Sequence, residues 1–122
     1  MTNVAPPGWP DGVPPPDAPD FVDRAVLWLF DNAPPEFRSH AVFRRHPEAL
    51  VFAVGHYTDG ALAASREAYA STRRQLSGSL DPTAVGEVLG ALEFEGVRLV
   101  RLQREVALVA EAFAGRRWSQ RL

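Results

Sequence analysis

The chain has 122 residues, 46% of them hydrophobic, and a formal net charge of −2 at pH 7. This length and apolar fraction favour one small globular domain, and a charge so near zero disfavours a dedicated nucleic-acid binder. The absence of cysteine from the sequence excludes disulfides, thiolate metal ligands and cysteine nucleophiles.

Residues 1–19 contain seven prolines together with Trp9. Because proline has no backbone N–H, we expect this segment to be extended or disordered. It is either a polyproline ligand for a partner's groove or a strap lying on the rest of the chain with Trp9 as its anchor, and we favour the strap. No basic residue precedes Arg24, so the segment resembles neither a secretory signal nor a membrane anchor. We therefore expect a cytoplasmic protein with no membrane partner.

Two short helices are predicted next, over residues 21–32 and 35–45. The first has Asp20 as its cap and is apolar on almost every side, so it should be buried on more than one face. The inward side chains of the second should be Phe37, Ala41 and either Val42 or Phe43. At its end His46 precedes Pro47, and the residue before a proline disfavours the helical conformation. The chain should therefore turn at His46.

Two long helices follow, over residues 47–76 and 82–114, joined by a polar turn at 77–80. Asp81 and Pro82 start the second of them, as a cap and a first helical residue, and Gly115 favours the left-handed conformation that ends a helix. The apolar residues of this helix repeat with the heptad period typical of a coiled coil. They are Val85, Val88, Leu92, Leu99, Leu102, Val106, Val109 and Phe113.

The first long helix should face the second, and its facing residues shrink towards the turn. They are Leu50, Val54, Tyr57, Ala61, Ala64, Ala68 and Ser71. At Asp59-Gly60 the helix either continues or breaks, since Asp-Gly is a turn signal, and the unchanged apolar phase on both sides favours continuity. We therefore expect the two helices to fold back on each other as a long antiparallel hairpin.

A weaker apolar strip lies on the outer side of the second long helix. It contains Phe94, Val97, Val100 and Leu108, with Gly86 and Gly90 on the same side. We expect it to receive the first short helix; the alternative is an interface with a second copy. Glu95 occupies a position of the heptad repeat where a leucine would be expected. We expect it to pair with an arginine of the facing helix such as Arg66.

No catalytic motif is present in the sequence. There is neither a glycine-rich phosphate loop nor a G-x-S-x-G nucleophile, and the histidines do not form a zinc or di-iron motif. Glu36 and His40 share a helical face but supply too few ligands for a metal. His56 is expected to hydrogen-bond to Asp59 or to Gln103. We therefore predict no catalytic residue, no metal and no cofactor.

An antiparallel hairpin places the start of its first helix beside the end of its second, which should bring two basic segments together. They contain Arg44, Arg45 and His46, and Arg116, Arg117, Trp118 and Arg121. Such an arginine-rich end suits an acidic protein, a phosphate group or a nucleic acid, with Trp118 stacking on a base or filling an apolar pocket. Alternatively the cluster is neutralised internally, since the first 33 residues hold five aspartates against one arginine.

The predicted fold is all-α: a long antiparallel helical hairpin with one or two short N-terminal helices packed on it, assembling into a dimeric helical bundle. Residues 1–19 are the proline-rich segment, 20–115 the helical domain and 116–122 an arginine-rich tail. The predicted function is a non-catalytic helical protein–protein interaction or scaffold module that forms a homodimer. The alternative is a module that binds an anionic small ligand or nucleic acid at the arginine-rich end.

Overall fold

The computed structural model describes residues 5–116, and the regular structure in this part of the chain is helical, with no strand. Its elements are α1 (Phe21–Asp31), a 3-10 helix (Pro35–Ser39), α2 (Ala41–Arg45), α3 (Pro47–Leu76) and α4 (Pro82–Phe113). The two long helices, α3 and α4, pack together, so the predicted all-α class is confirmed. Between residues 5 and 116, no helix has both the length and the apolar character of a membrane span.

The long helices begin and continue where the sequence indicates. α3 is helical through Asp59-Gly60, so the alternative of a break there was wrong. After the turn at 77–80, α4 begins at Pro82, and Asp81 Oδ1 accepts a hydrogen bond from the Ala84 N–H at 2.8 Å. The predicted cap is therefore confirmed, because this bond satisfies one of the free N–H groups of the first turn.

A glycine in the left-handed conformation closes α4. Gly115 has a φ of 83°, and its N–H donates to the Ala112 carbonyl at 3.1 Å. The N–H of Arg116 donates to the Glu111 carbonyl at 3.0 Å. These two bonds form a Schellman motif, in which a residue with a Cβ is strained at the glycine position. The prediction that Gly115 closes this helix is confirmed.

The described residues form two compact units, and α3 and α4 each contribute one segment to both. Unit 1 contains the residues up to Tyr57 together with those from Arg104 onward. Unit 2 is Thr58–Gln103. Unit 2 is therefore built from two helix segments and one turn, whereas unit 1 also contains the N-terminal elements.

The described part of the proline-rich segment, residues 5–19, lies against the rest of unit 1. The indole Nε1 of Trp9 donates to the Val13 carbonyl at 2.9 Å, and the Trp9 ring centroid lies 5.9 Å from that of Phe21. The Phe21 ring is in turn 5.4 Å from the ring of Phe113 in α4, and Val13 is buried. These contacts agree with the strap interpretation, in which Trp9 is the anchor.

α1 is less completely buried than its sequence indicates. Its buried residues are Phe21, Ala25, Leu29 and Phe30. Val22 and Leu27 are 47% and 60% exposed, so α1 lies at the surface of unit 1. Asp20 stands at the N-cap position, but its side chain accepts no capping hydrogen bond.

The helix predicted over 35–45 is divided in two by His40, whose backbone is extended with φ −99° and ψ 105°. Ala41 and Val42 are exposed rather than inward. Phe37 and Phe43 are half-buried and stack with ring centroids 5.3 Å apart. A single α-helix would point these two phenylalanines in different directions, because their spacing is neither three nor four. The prediction of one continuous helix was therefore wrong.

The interior of unit 1 combines three helices. Leu29 of α1, Leu50 and Val54 of α3 and Val109 of α4 are all fully buried. Leu50 and Val54 are two of the predicted facing residues of α3, whereas Tyr57, the third, is 46% exposed. Large aliphatic side chains from three helices thus fill the interior of this unit.

In unit 2 the inward face of α3 agrees with the predicted one at Ser71 and differs from it elsewhere. The buried side chains are Thr58, Leu62, Ser71 and Thr72. Ala64 and Ala68, predicted to face inward, are exposed. Thr72 Oγ1 donates to the Ala68 carbonyl at 2.7 Å, and Ser65 Oγ donates to the Leu92 carbonyl of α4 at 3.4 Å. Because these hydroxyls find backbone acceptors, small polar side chains can occupy positions where alanine was expected.

α4 supplies most of the large apolar side chains inside unit 2. The buried ones are Val85, Leu89, Leu99 and Leu102. Gln103 Nε2 of α4 donates to Asp59 Oδ1 of α3 at 2.8 Å. This hydrogen bond is farther from the turn than the one between Ser65 and Leu92. The separation in sequence between the bonded residues grows from 27 positions for Ser65 and Leu92 to 44 positions for Asp59 and Gln103.

Candidate functional site

The candidate site is the outer face of α4 in unit 2, whose exposed residues are Gly86, Glu87, Gly90, Glu93, Phe94, Val97, Arg98 and Arg101. Residues at spacings of three and four share one side of a helix, which places Gly86, Gly90, Phe94 and Val97 together. The buried Val85, Leu89 and Leu99 lie on the other side. The outer face is therefore the side of α4 that the interior of unit 2 does not use.

Two large apolar side chains project from this face. Phe94 and Val97 are each 70% exposed. At Gly86 and Gly90, by contrast, an added Cβ would have no neighbouring heavy atom within 4 Å. The outer face thus carries two projections and two open hollows along the same line of the helix.

Charge is ordered along the unit 2 segment of α4. Its acidic residues, Glu87, Glu93 and Glu95, all precede Gly96, and its basic residues, Arg98 and Arg101, both follow it. Arg98 Nη2 lies 2.9 Å from Glu95 Oε1. The predicted pairing of Glu95 with Arg66 was therefore wrong, because an arginine one turn along the same helix is closer. Glu87 makes no ion pair with any residue between 5 and 116.

An open groove of about 470 Å³ lies between the α3 and α4 segments of unit 2. Its lining residues are Ser65, Arg66, Tyr69, Leu92, Glu93 and Gly96. The Ser65 hydroxyl donates to the Leu92 carbonyl at 3.4 Å. The groove therefore offers a contact surface with one charge of each sign.

The arginine-rich end predicted from the sequence is described only in part. Arg44 and Arg45 end α2, His46 separates α2 from α3, and Arg116 follows Gly115; all four are exposed and belong to unit 1. The Arg44 guanidinium donates to the Arg38 carbonyl. Arg117, Trp118 and Arg121 lie outside the described residues. The grouping of the two basic segments into one surface stays a prediction.

The remaining polar candidates have other partners. The rings of His56 and Phe52 lie 4.7 Å apart, and Asp59 accepts the hydrogen bond of Gln103. The prediction that His56 would bond to Asp59 or Gln103 was therefore wrong. His40 contacts the Phe43 ring edge-on at 5.9 Å. Within residues 5–116, no group of three or more histidine, aspartate or glutamate side chains is placed to hold a metal ion.

Sequence reasoning found the apolar part of the outer face but missed its charged part. Phe94, Val97, Gly86 and Gly90 were assigned to this side from their spacing. Glu87 and Arg98 were not, although the order of acidic before basic residues along α4 was a readable signal.

The chain matches no protein-family model, no curated protein and no solved structure. Its function is therefore inferred from its own residues and their arrangement.

Proposed function

We propose that this chain is a non-catalytic, α-helical protein–protein interaction module that self-associates as a homodimer through the outer face of α4. The observation that supports this most is the exposure of Phe94 and Val97, each 70%, on one side of a regular helix. Apolar side chains that are exposed together and held by a helix are typical of surfaces that bind another protein.

The occupant that suits this surface is a second copy of the chain. A twofold axis that pairs two helices in opposite directions sets the first half of each against the second half of the other. Glu87, in the first half of the α4 segment of unit 2, then meets Arg98, in the second half of the other copy, and this pairing occurs twice in the dimer. This pairing favours a second copy over an unrelated partner.

We expect this dimer to be of moderate strength. Burying Phe94 and Val97 in both copies contributes about 1.5–3 kcal/mol for each side chain. The loss of translational and rotational freedom on association costs about 4–15 kcal/mol. The four side chains together contribute about 6–12 kcal/mol, so the net gain is at most about 8 kcal/mol and the expected dissociation constant is no tighter than about micromolar.

The finer features predicted from the sequence belong to the same proposal. They are a long antiparallel hairpin, a coiled-coil seam between its helices, a dimeric helical bundle as the assembly, and a cytoplasmic location. The heptad spacing along α4 and the growing separation in sequence between the hydrogen-bonded residues of unit 2 support the hairpin. The homodimer is the feature on which the proposal depends.

Sedimentation equilibrium of the full chain over a wide concentration range tests the proposal. We expect a reversible monomer–dimer equilibrium. The double variant Phe94→Ser with Val97→Ser should be monomeric over the same range with an unchanged circular dichroism spectrum, because both side chains are exposed. Leu27→Ser is the matched control, since Leu27 is 60% exposed but belongs to α1, and it should dimerise normally. A wild-type chain that stays monomeric at all concentrations would contradict the proposal.

The alternative function is binding of an anionic ligand or nucleic acid at the arginine-rich end. The observation in its favour is that the exposed side chains of Arg45 and His46 make no hydrogen bond or ion pair within residues 5–116. Salt-sensitive binding of an oligonucleotide or pyrophosphate, lost when Arg44, Arg45, Arg116 and Arg117 are changed to serine while dimerisation persists, would identify this second function.

A further inference from the structure

We infer that the second copy pairs with α4 in one particular register, an inference that rests on the proposed function. The two α4 helices run antiparallel about a twofold axis near residue 92. Phe94 of each copy occupies the hollow at Gly90 of the other, and Glu87 of each copy pairs with Arg98 of the other.

The shape of the outer face fits this register. Phe94 projects into solvent, and Gly90, one turn earlier, leaves an open position with no heavy atom within 4 Å of an added Cβ. When the twofold axis passes midway between a projecting side chain and a hollow on one helix, the projecting side chain of each copy faces the hollow of the other copy. The same register sets Val97 beside the hollow at Gly86. Both projections are therefore accommodated without a change of backbone.

Two of the charges, Glu87 and Arg98, fit the same register independently of the shape, whereas the Glu93 residues of the two copies lie near each other beside the axis. Glu87 and Arg98 lie about three helical turns apart, so they share one flank of the outer face. In an antiparallel pair of helices, equal flanks face each other. An axis near residue 92 then sets Glu87 of one copy against Arg98 of the other, twice in the dimer. Glu87 has no ion pair within residues 5–116, and Arg98 is held in place by Glu95 at 2.9 Å.

The parallel arrangement is disfavoured by the same residues. In a parallel twofold pair each flank faces the opposite flank of the other copy, so Glu87 and Arg98 would not meet and both ion pairs between the copies would be lost. The parallel arrangement would also oppose Phe94 to Phe94 and leave the hollows at Gly90 facing each other. Charge and shape thus select the same orientation.

Spin-label distances test the orientation directly. The chain has no cysteine, so Ala91→Cys and Thr83→Cys each give a single labelled site, and both residues are exposed. In the antiparallel dimer the labels at 91 lie close to the axis and give a short distance between copies. The labels at 83 are displaced along the helices by about 27 Å and give a much longer distance. Nearly equal distances at the two sites would contradict the inference.

Charge variants test the register. Glu87→Arg alone and Arg98→Glu alone each place like charges at both ion pairs, and each should weaken dimerisation about tenfold. An equimolar mixture of the two variants should recover wild-type affinity as a heterodimer, because both pairs are then attractive. Single variants that dimerise as tightly as the wild type would overturn the register.

The hollow is tested with two matched glycines of unit 2. Gly60 and Gly90 are both exposed helical residues with no heavy atom within 4 Å of an added Cβ. Gly90→Gln should abolish dimerisation by filling the hollow, whereas Gly60→Gln should leave it unchanged. Equal affinity of the two variants would contradict the placement of Phe94.

The outcomes separate the inference from the function on which it rests. A wild-type chain that is monomeric at all concentrations would contradict both the homodimer and its antiparallel register. A wild-type dimer with equal label distances, or with no response to the Glu87 and Arg98 variants, removes the antiparallel register and leaves self-association standing.

Discussion

Units 1 and 2 share the same two long helices, but their interiors are built differently. Unit 1 closes around large side chains from three helices, with Leu29, Leu50 and Val109 fully buried, and the strap adds its own layer. Unit 2 consists of two helix segments and a turn, and its interior includes the hydroxyl side chains of Thr58 and Thr72. The same helices thus contribute to one unit with a three-helix interior and to another with a two-helix interior.

The difference shows what a pair of helices can and cannot bury. Each helix of a pair covers one face of its neighbour, and its remaining apolar surface needs a further layer. Unit 1 has such layers in α1 and the strap. In unit 2, as far as residues 5–116 are described, none is present, and Phe94 and Val97 are exposed. A second copy would supply the missing layer.

The largest expected effect comes from truncating one leucine in each unit. Leu50→Ala should destabilise the chain by about 2–5 kcal/mol, because it leaves a cavity in a closed interior. Leu62→Ala in the same helix should cost less, about 2 kcal/mol, since a two-helix unit can collapse around the gap. Urea unfolding measures both, with Leu27→Ala as the exposed control. Equal costs at Leu50 and Leu62 would show that the two interiors are equally tight.

A smaller effect is expected at the start of α4, in unit 2. Asp81→Ala removes the hydrogen bond to the Ala84 N–H and should cost about 1 kcal/mol. Asp81→Asn keeps an acceptor at the cap and should be nearly neutral. Hydrogen exchange should show faster exchange in the first turns of α4 for the alanine variant. Equal exchange rates in the two variants would mean that the Asp81 cap does not stabilise the first turns of α4.

The smallest expected effect is a stabilisation of unit 2. Gly60→Ala should add up to about 1 kcal/mol, because alanine is the better helix former and its Cβ meets no neighbour. The same substitution at Gly115 should destabilise the chain, since the φ of 83° strains any residue with a Cβ. Thermal unfolding of both variants checks the opposite signs. A loss of stability from Gly60→Ala would mean that Gly60 has a role in packing.

Local signals in the sequence were sufficient to predict the long helices. The caps at Asp81 and Gly115 depend only on adjacent residues, and the heptad repeat of α4 requires only a facing helix. The inward face of α3 in unit 2 was not predictable in this way. Threonine and alanine both fit a narrow space between helices, and which of them faces inward depends on whether a hydroxyl finds a backbone acceptor, as Thr72 does at Ala68.

The candidate site was predicted only where it is apolar. Phe94 and Val97 stand out because their spacing matches a helix face that the seam does not use. The partner of Glu95 was not predictable, because an exposed carboxylate can choose between Arg98 on its own helix and Arg66 on the facing one, and the two differ little in free energy. The position of α1 was not predictable either, because it depends on the contact between Phe21 and Phe113, which are far apart in the sequence.

That contact between distant residues also bears on the order in which the molecule forms. The Ser65–Leu92 bond of unit 2 closes a short loop around the turn, whereas the Phe21–Phe113 contact joins residues about 90 positions apart, and longer loops close more slowly. We therefore expect the turn end of α3 and α4 to form early and the aromatic contact to close late. The strap and α1 then pack against helices that have already paired around the turn.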